Sequence, residues 1–158
     1  MAVLTNMFAK QKEEAMMQLA LSNAGTNVAD SAQIMRRRVT LAEINAGVSL
    51  LPAIFGFHYR IHDMSMISVG GAVGATTTVD ILGTVAAASV KLLSVAIAAL
   101  TQSALVRAGA ANATILADGG SFVDLDTNTG VTVGKTGATA TTATAVDVSI
   151  TFDLVSDQ

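Results

Sequence analysis

The chain has 158 residues, enough for one ordinary domain with a small appendage, and 51% of them are hydrophobic against 13% charged. A net charge of -3 excludes a general polyanion binder, and the absence of cysteine excludes a disulfide framework, a thiolate metal site and a cysteine nucleophile. Aromatics are only 4% and tryptophan is absent, so Ala, Val, Leu and Ile carry the apolar excess. A body this poor in charge is expected to bury surface against copies of itself or a partner.

Residues 2–21 hold Lys10, Gln11, Lys12, Glu13, Glu14 and Gln18, while Leu4, Phe8, Ala15 and Leu19 recur at three- to four-residue steps. That spacing predicts an amphipathic helix, capped by Thr5 or Asn6 and ended by Asn23-Ala24-Gly25. No basic start followed by an apolar core and a cleavage site precedes it, so no secretory leader is expected. A second short helical piece is predicted from Val28 to Arg38, which makes residues 1–38 a helical arm. Arg36-Arg37-Arg38 is the one strong charge cluster; three adjacent guanidiniums can grip an acidic patch, carboxylates or phosphate on a partner. Phe8 on the apolar stripe and these three arginines are therefore the candidate partner-binding residues.

From residue 39 to 158 the pattern is β. Phe57, Tyr59 and Ile61 alternate with His58, Arg60 and His62, predicting a strand with one wet face. Pro52 suits a turn before it, and shorter strands are expected at Thr78–Ile81 and Val131–Val133, separated by glycine turns such as Gly70-Gly71. Ile81 to Leu100 is apolar enough to raise a membrane span, but central Lys91 and the flanking strand pattern argue against it. Within that stretch, Val90–Leu100 is ambiguous: its Ala and Leu favour a helix, but its place between β segments favours a strand apolar on both faces, central or at an interface. The clearest strand is Val146 to Leu154, where Val146, Val148, Ile150, Phe152 and Leu154 alternate with Asp147, Ser149, Thr151 and Asp153. Many short strands with glycine-rich turns predict a mainly β fold, a jelly-roll-like sandwich preceded by the helical arm.

Catalytic patterns fail on inspection. His58 and His62 lie four apart on a strand, too far for one tetrahedral ion, and Asp63 would fall on the opposite face. Gly134-Lys135-Thr136 lacks the glycine five places earlier that a phosphate loop needs, since residue 129 is Thr129. Asp124-Leu125-Asp126-Thr127-Asn128 has the alternating oxygens of a calcium loop, but Gly130 comes one place late and Lys135 stands where a glutamate belongs, so a turn is expected. No Gly-x-Ser-x-Gly elbow occurs. The chain is expected to be no enzyme and to need no cofactor or metal.

Thr40 to Gly47, Leu50-Leu51-Pro52-Ala53, Tyr59-Arg60-Ile61, Val79 to Thr84, Leu116 to Gly119, Val131-Thr132-Val133 and Ala145 to Val148 come in an order that resembles small virion proteins of tailed bacteriophages, notably capsid decoration (cement) and head-fibre proteins. The resemblance covers most of residues 40–154, rests on loose turn and strand motifs, and leaves out the arm. It implies a homo-oligomer, typically a trimer, that binds a major capsid protein on the outside of a phage head and bridges capsomers. The location would be the virion surface after assembly in the host cytoplasm, with neither nucleic acid nor membrane as partner. A tail- or fibre-associated module that binds a host receptor or glycan is the alternative; its mark would be exposed aromatics among polar groups.

Overall fold

The computed structural model describes residues 32–102, 104–107 and 122–157. The longest alternation in the sequence sits at the heart of one sheet. In β9 (Ala145–Ser156), Val146, Val148, Ile150 and Phe152 are buried, while Asp147, Ser149 and Thr151 stay partly exposed. β9 pairs antiparallel with β1 (Gln33–Thr40) on one side and β3 (Phe57–Val69) on the other. Two short strands, β6 (Val106–Arg107) and β7 (Val123–Asp124), pair with the far side of β3. The second sheet runs β2 (Ser49–Leu51), β8 (Val131–Thr141), β4 (Gly74–Val85), β5 (Ala88–Ala96), again antiparallel.

Both sheets feed one core. Tyr59, Ile61, Met66 and Ile150 come from the five-stranded sheet, and Val79, Ile81, Leu93 and Val133 from the four-stranded one. Each buried aliphatic side chain contributes about 1.5–3 kcal/mol of transfer free energy. The chain is thus mainly β, with two antiparallel sheets enclosing one core in the manner of a β-sandwich.

Residues 33–38 are strand, not the end of a helix. Met35, Arg37 and Val39 turn inward and Ile34, Arg36 and Arg38 outward. Three successive arginines hid this alternation, because all three look solvent-facing in sequence whereas the stem of Arg37 crosses the sandwich edge. Its guanidinium donates to the Ser49 carbonyl at 2.8 Å and to Glu43 at 2.6 Å, tying β1 to β2 and to the helix between them. The remainder of the expected arm, Phe8 included, lies outside the described residues.

That helix, α1 (Leu41–Ala46), was not foreseen, although Thr40 and Glu43 spell its start. The Thr40 hydroxyl accepts the Glu43 N–H at 3.3 Å while the Glu43 carboxylate accepts the Thr40 N–H at 2.8 Å, and Gly47, at φ 75°, ends the turn. α1 carries the chain from one sheet to the other and buries Ile44 in the core.

Two bulges change which residues face inward. In β3 the register slips between Ile61 and Asp63, so Tyr59 and Ile61 are buried before it and Met64, Met66 and Ser68 after it. In β5 the register slips opposite Ile81/Leu82, which sends both Leu92 and Leu93 into the core. This is why Val90–Leu100 reads as apolar on both faces. The strand ends at Ala96 and stands at the sheet edge, not between other strands, and Lys91 marks its outer side. Gly83 makes room for the extra leucine: a Cβ there would lie 2.9 Å from methyl carbons of both Leu92 and Leu125. Residues 81–100 thus fall largely in β4 and β5, and no helix among the described residues is long and apolar enough to cross a membrane.

The β4–β5 hairpin turns on Ala86 and Ala87, both in the left-handed region (φ 52° and 59°), where Asn-Gly is the usual choice. Their N–H groups donate to the Asp126 carboxylate at 2.9 and 2.7 Å. The strain is held by a side chain from another part of the chain.

Candidate interaction surface

The outer face of the five-stranded sheet collects the groups that sequence patterns single out. Register places them in rows across the strands. Arg38 stands beside Asp147 and then Ile67; Arg36 stands beside Ser149, then Ser65, then Arg107. An open groove of about 420 Å³ runs over these rows, lined by Arg36, Arg38, Ser65, Ile67, Leu105 and Asp147 among others.

The three arginines divide by alternation. Arg37 belongs to the sheet-to-sheet tie described above. Arg38 holds Asp147 with a two-point grip, 2.8 and 2.9 Å, and that hydrogen-bonded guanidinium holds the Asp147 carboxyl below its ordinary range. Arg36 projects from the same face as Arg38 and makes no hydrogen bond or ion pair among the described residues.

The other end of this face is an interlocked aromatic and ionic cluster. Arg60 grips Asp124 at 2.7 and 3.2 Å and lies over the Phe122 ring, 4.4 Å from its centroid. His62 bonds Asp153 at 2.5 Å and meets Phe122 edge-on. His58 bonds Asp157 at 2.6 Å, and Thr127 also donates to that carboxylate, which sits below its ordinary range chiefly because of the Thr127 hydroxyl. Each histidine therefore has its own aspartate, and the two do not converge. Asp63 is on this face too, contrary to the simple alternation, because the bulge resets the parity; its carboxylate lies 3.9 Å from Arg107.

Four large hydrophobic side chains are exposed among the described residues: Ile34 at 55%, Phe55 at 90%, Leu105 at 53% and Phe122 at 39%. Three of them belong to this face. Ile34 shares the outward side of β1 with Arg36, Leu105 lines the groove, and Phe122 packs on Arg60 and His62. Tyr59, the lone tyrosine, is buried instead, its hydroxyl donating to the Pro52 carbonyl at 2.7 Å and its ring meeting Phe152 edge-on.

The acidic loop directs its oxygens to three separate places. Asp124 goes to Arg60, Asp126 to the Ala86-Ala87 turn, and Asn128 accepts the Gly56 N–H at 2.6 Å. It works as a turn, but one that braces its neighbours more than itself. Gly134-Lys135-Thr136 is part of β8, and its threonine hydroxyl donates to Asp80 at 2.9 Å.

Asp80 is the residue that sequence reading missed. It lies on the outer face of the four-stranded sheet yet is 1% exposed, covered by Ser94 at 2.6 Å, Thr136 and Lys91 at 3.0 Å. Burial pushes its carboxyl up, and the donated hydrogen bonds from Ser94, Lys91 and Thr136 outweigh that, holding it below its ordinary value. The only hint in sequence was an aspartate inside an otherwise apolar and hydroxyl-bearing strand. No family model, curated protein or solved structure matches the chain.

Proposed function

We propose that the chain is a structural, non-catalytic protein that binds other protein through the outer face of its five-stranded sheet. The observation that carries this reading is the gathering of Ile34, Leu105 and Phe122 on one face, among arginines that can pair with carboxylates. Mixed apolar and arginine surfaces of this kind are the usual composition of protein interfaces. In the setting that the sequence resemblance supplies, the partner is the major capsid protein of a tailed phage. The protein sits on the head exterior as a jelly-roll-like homo-oligomer, a trimer in that setting, and bridges capsomers. Repetition over a shell multiplies a modest contact by avidity.

The test pairs two measurements on the full chain. Light scattering coupled to size exclusion gives its self-association, and co-sedimentation with purified phage heads gives shell binding. The proposal expects heads to carry the protein down in regular stoichiometry, and Ile34→Lys with Leu105→Asp to abolish this while the unfolding midpoint holds. A monomer that binds no heads, or binding indifferent to both substitutions, overturns it. One observation bears on a fibre module for host receptors: Phe122 with Arg60 and His62 is an aromatic set among polar groups. Glycan binding lost in Phe122→Ala, with heads left bare, would favour that reading.

A further inference from the structure

We infer that the groove on the five-stranded sheet receives an extended acidic segment of a different protein, with one carboxylate on Arg36 and an adjoining aliphatic side chain against Leu105 and Ile67. This deepens the proposed function and rests on it.

Every acidic side chain among the described residues is engaged within the unit: Glu43 by Arg37, Asp147 by Arg38, Asp124 by Arg60, Asp157 and Asp153 by histidines, Asp80 by Lys91 and hydroxyls, and Asp63 and Asp126 by backbone N–H groups. Arg36 alone of the three adjacent arginines has no such partner among them. The described surface of a second copy therefore offers no carboxylate that is not already engaged, which favours a complement from a different protein.

Shape narrows the partner. Between Arg36 and Arg107 the row is floored by Ser149 and Ser65, two small side chains, so a trough crosses four strands. At about 4.8 Å per strand it is about 14 Å long, room for an extended segment of four or so residues. Arg36 stands at one end; Arg107, loosely held by Asp63 at 3.9 Å, stands at the other. Leu105 and Ile67 supply an apolar wall between them. A phosphate backbone has no use for that wall. An acidic peptide with an aliphatic residue uses both, and the guanidinium fork suits a carboxylate.

The probe is a blocked, fluorescently labelled peptide of alternating glutamate and leucine, titrated into the full chain at low and at physiological salt. Binding that weakens with salt is expected, with a glutamine-for-glutamate version at least about tenfold weaker. Arg36→Glu should lose at least about tenfold, Arg36→Lys less, and Leu105→Ser about threefold, with unfolding midpoints unchanged, since Arg36 holds nothing in the fold. No binding by the wild type, equal binding by the glutamine peptide, equal competition by a short duplex DNA, or indifference to Arg36→Glu each overturns the inference. The same variants in head co-sedimentation separate the two levels. Heads bound equally by Arg36→Glu but lost in the Ile34 and Leu105 variants would sink the acidic groove alone. Heads never bound would sink the broader reading.

Discussion

The two outer faces of the sandwich solve the same problem, a sheet surface turned toward solvent, in opposite ways. On the outer side of the four-stranded sheet, hydroxyls and glycines are the main lining of a shallow hollow of about 310 Å³, Ser49, Thr84, Ser89, Gly130 and Thr132 among them, with Ala53 and Leu82 beside them. The one carboxylate there, Asp80, is drawn in and covered by its neighbours. On the five-stranded sheet the charges stand outward, and large apolar side chains stand with them. The first arrangement binds polar groups inward and serves the fold. The second pairs its acids with basic side chains, leaves Arg36 without a partner among the described residues, and exposes large apolar side chains on the surface proposed for contact.

Substitutions on the two faces should separate cleanly. The largest expected effect is on the hydroxyl face: Asp80→Ala strips three hydrogen-bond donors of a charged acceptor and should cost about 2–3 kcal/mol in denaturant unfolding, with head or peptide binding intact. Asp126→Ala follows, at about 1–2 kcal/mol, because two N–H groups of a strained turn lose their acceptor. A compensating Ala87→Gly should return about 0.4–1 kcal/mol, since glycine adopts that φ without strain. Acid titration is a finer probe. The carboxyls of Asp80, Glu43, Asp147 and Asp157 all lie below their ordinary values in the fold. Their contribution is therefore complete above those ordinary values and is lost as pH falls through the depressed ones. Midpoints should be level from pH 7 to about 5 and decline below about 4, with a shallower decline in Asp80→Asn. Smallest of all in stability is Ile34→Lys, which should leave unfolding unchanged and move only association. A large stability loss there, or lost binding in Asp80→Ala, would break the comparison.

Much of this fold was legible where side chains obey a simple period. Val146 to Leu154 and Phe57 to Ile61 alternate without interruption and form β9 and the start of β3. Legibility failed where geometry is set by partners far away in sequence. The bulge at His62 and Asp63 carries no glycine or proline to announce it, so Asp63 seemed to point the wrong way. Ala86-Ala87 has no turn chemistry of its own, because its acceptor comes from the segment after β7. The arginine run was found, but its division needed the strand: Arg38 pairs with Asp147, 109 positions on, and Arg37 with Glu43 on an unforeseen helix. Phe122 gave no signal until Arg60 and His62 were placed beneath it.

The borrowed brace on the Ala86-Ala87 turn has a kinetic consequence. A tight hairpin is ordinarily among the first things a chain can make, since its ends are neighbours and the loop closes in microseconds. Here the turn residues sit in a backbone region that alanine resists, and relief arrives only when a segment some 40 residues downstream has docked. The hairpin should therefore be a late event: Asp126→Ala should speed unfolding and leave the refolding rate nearly untouched, whereas Ala87→Gly should let β4 and β5 pair early.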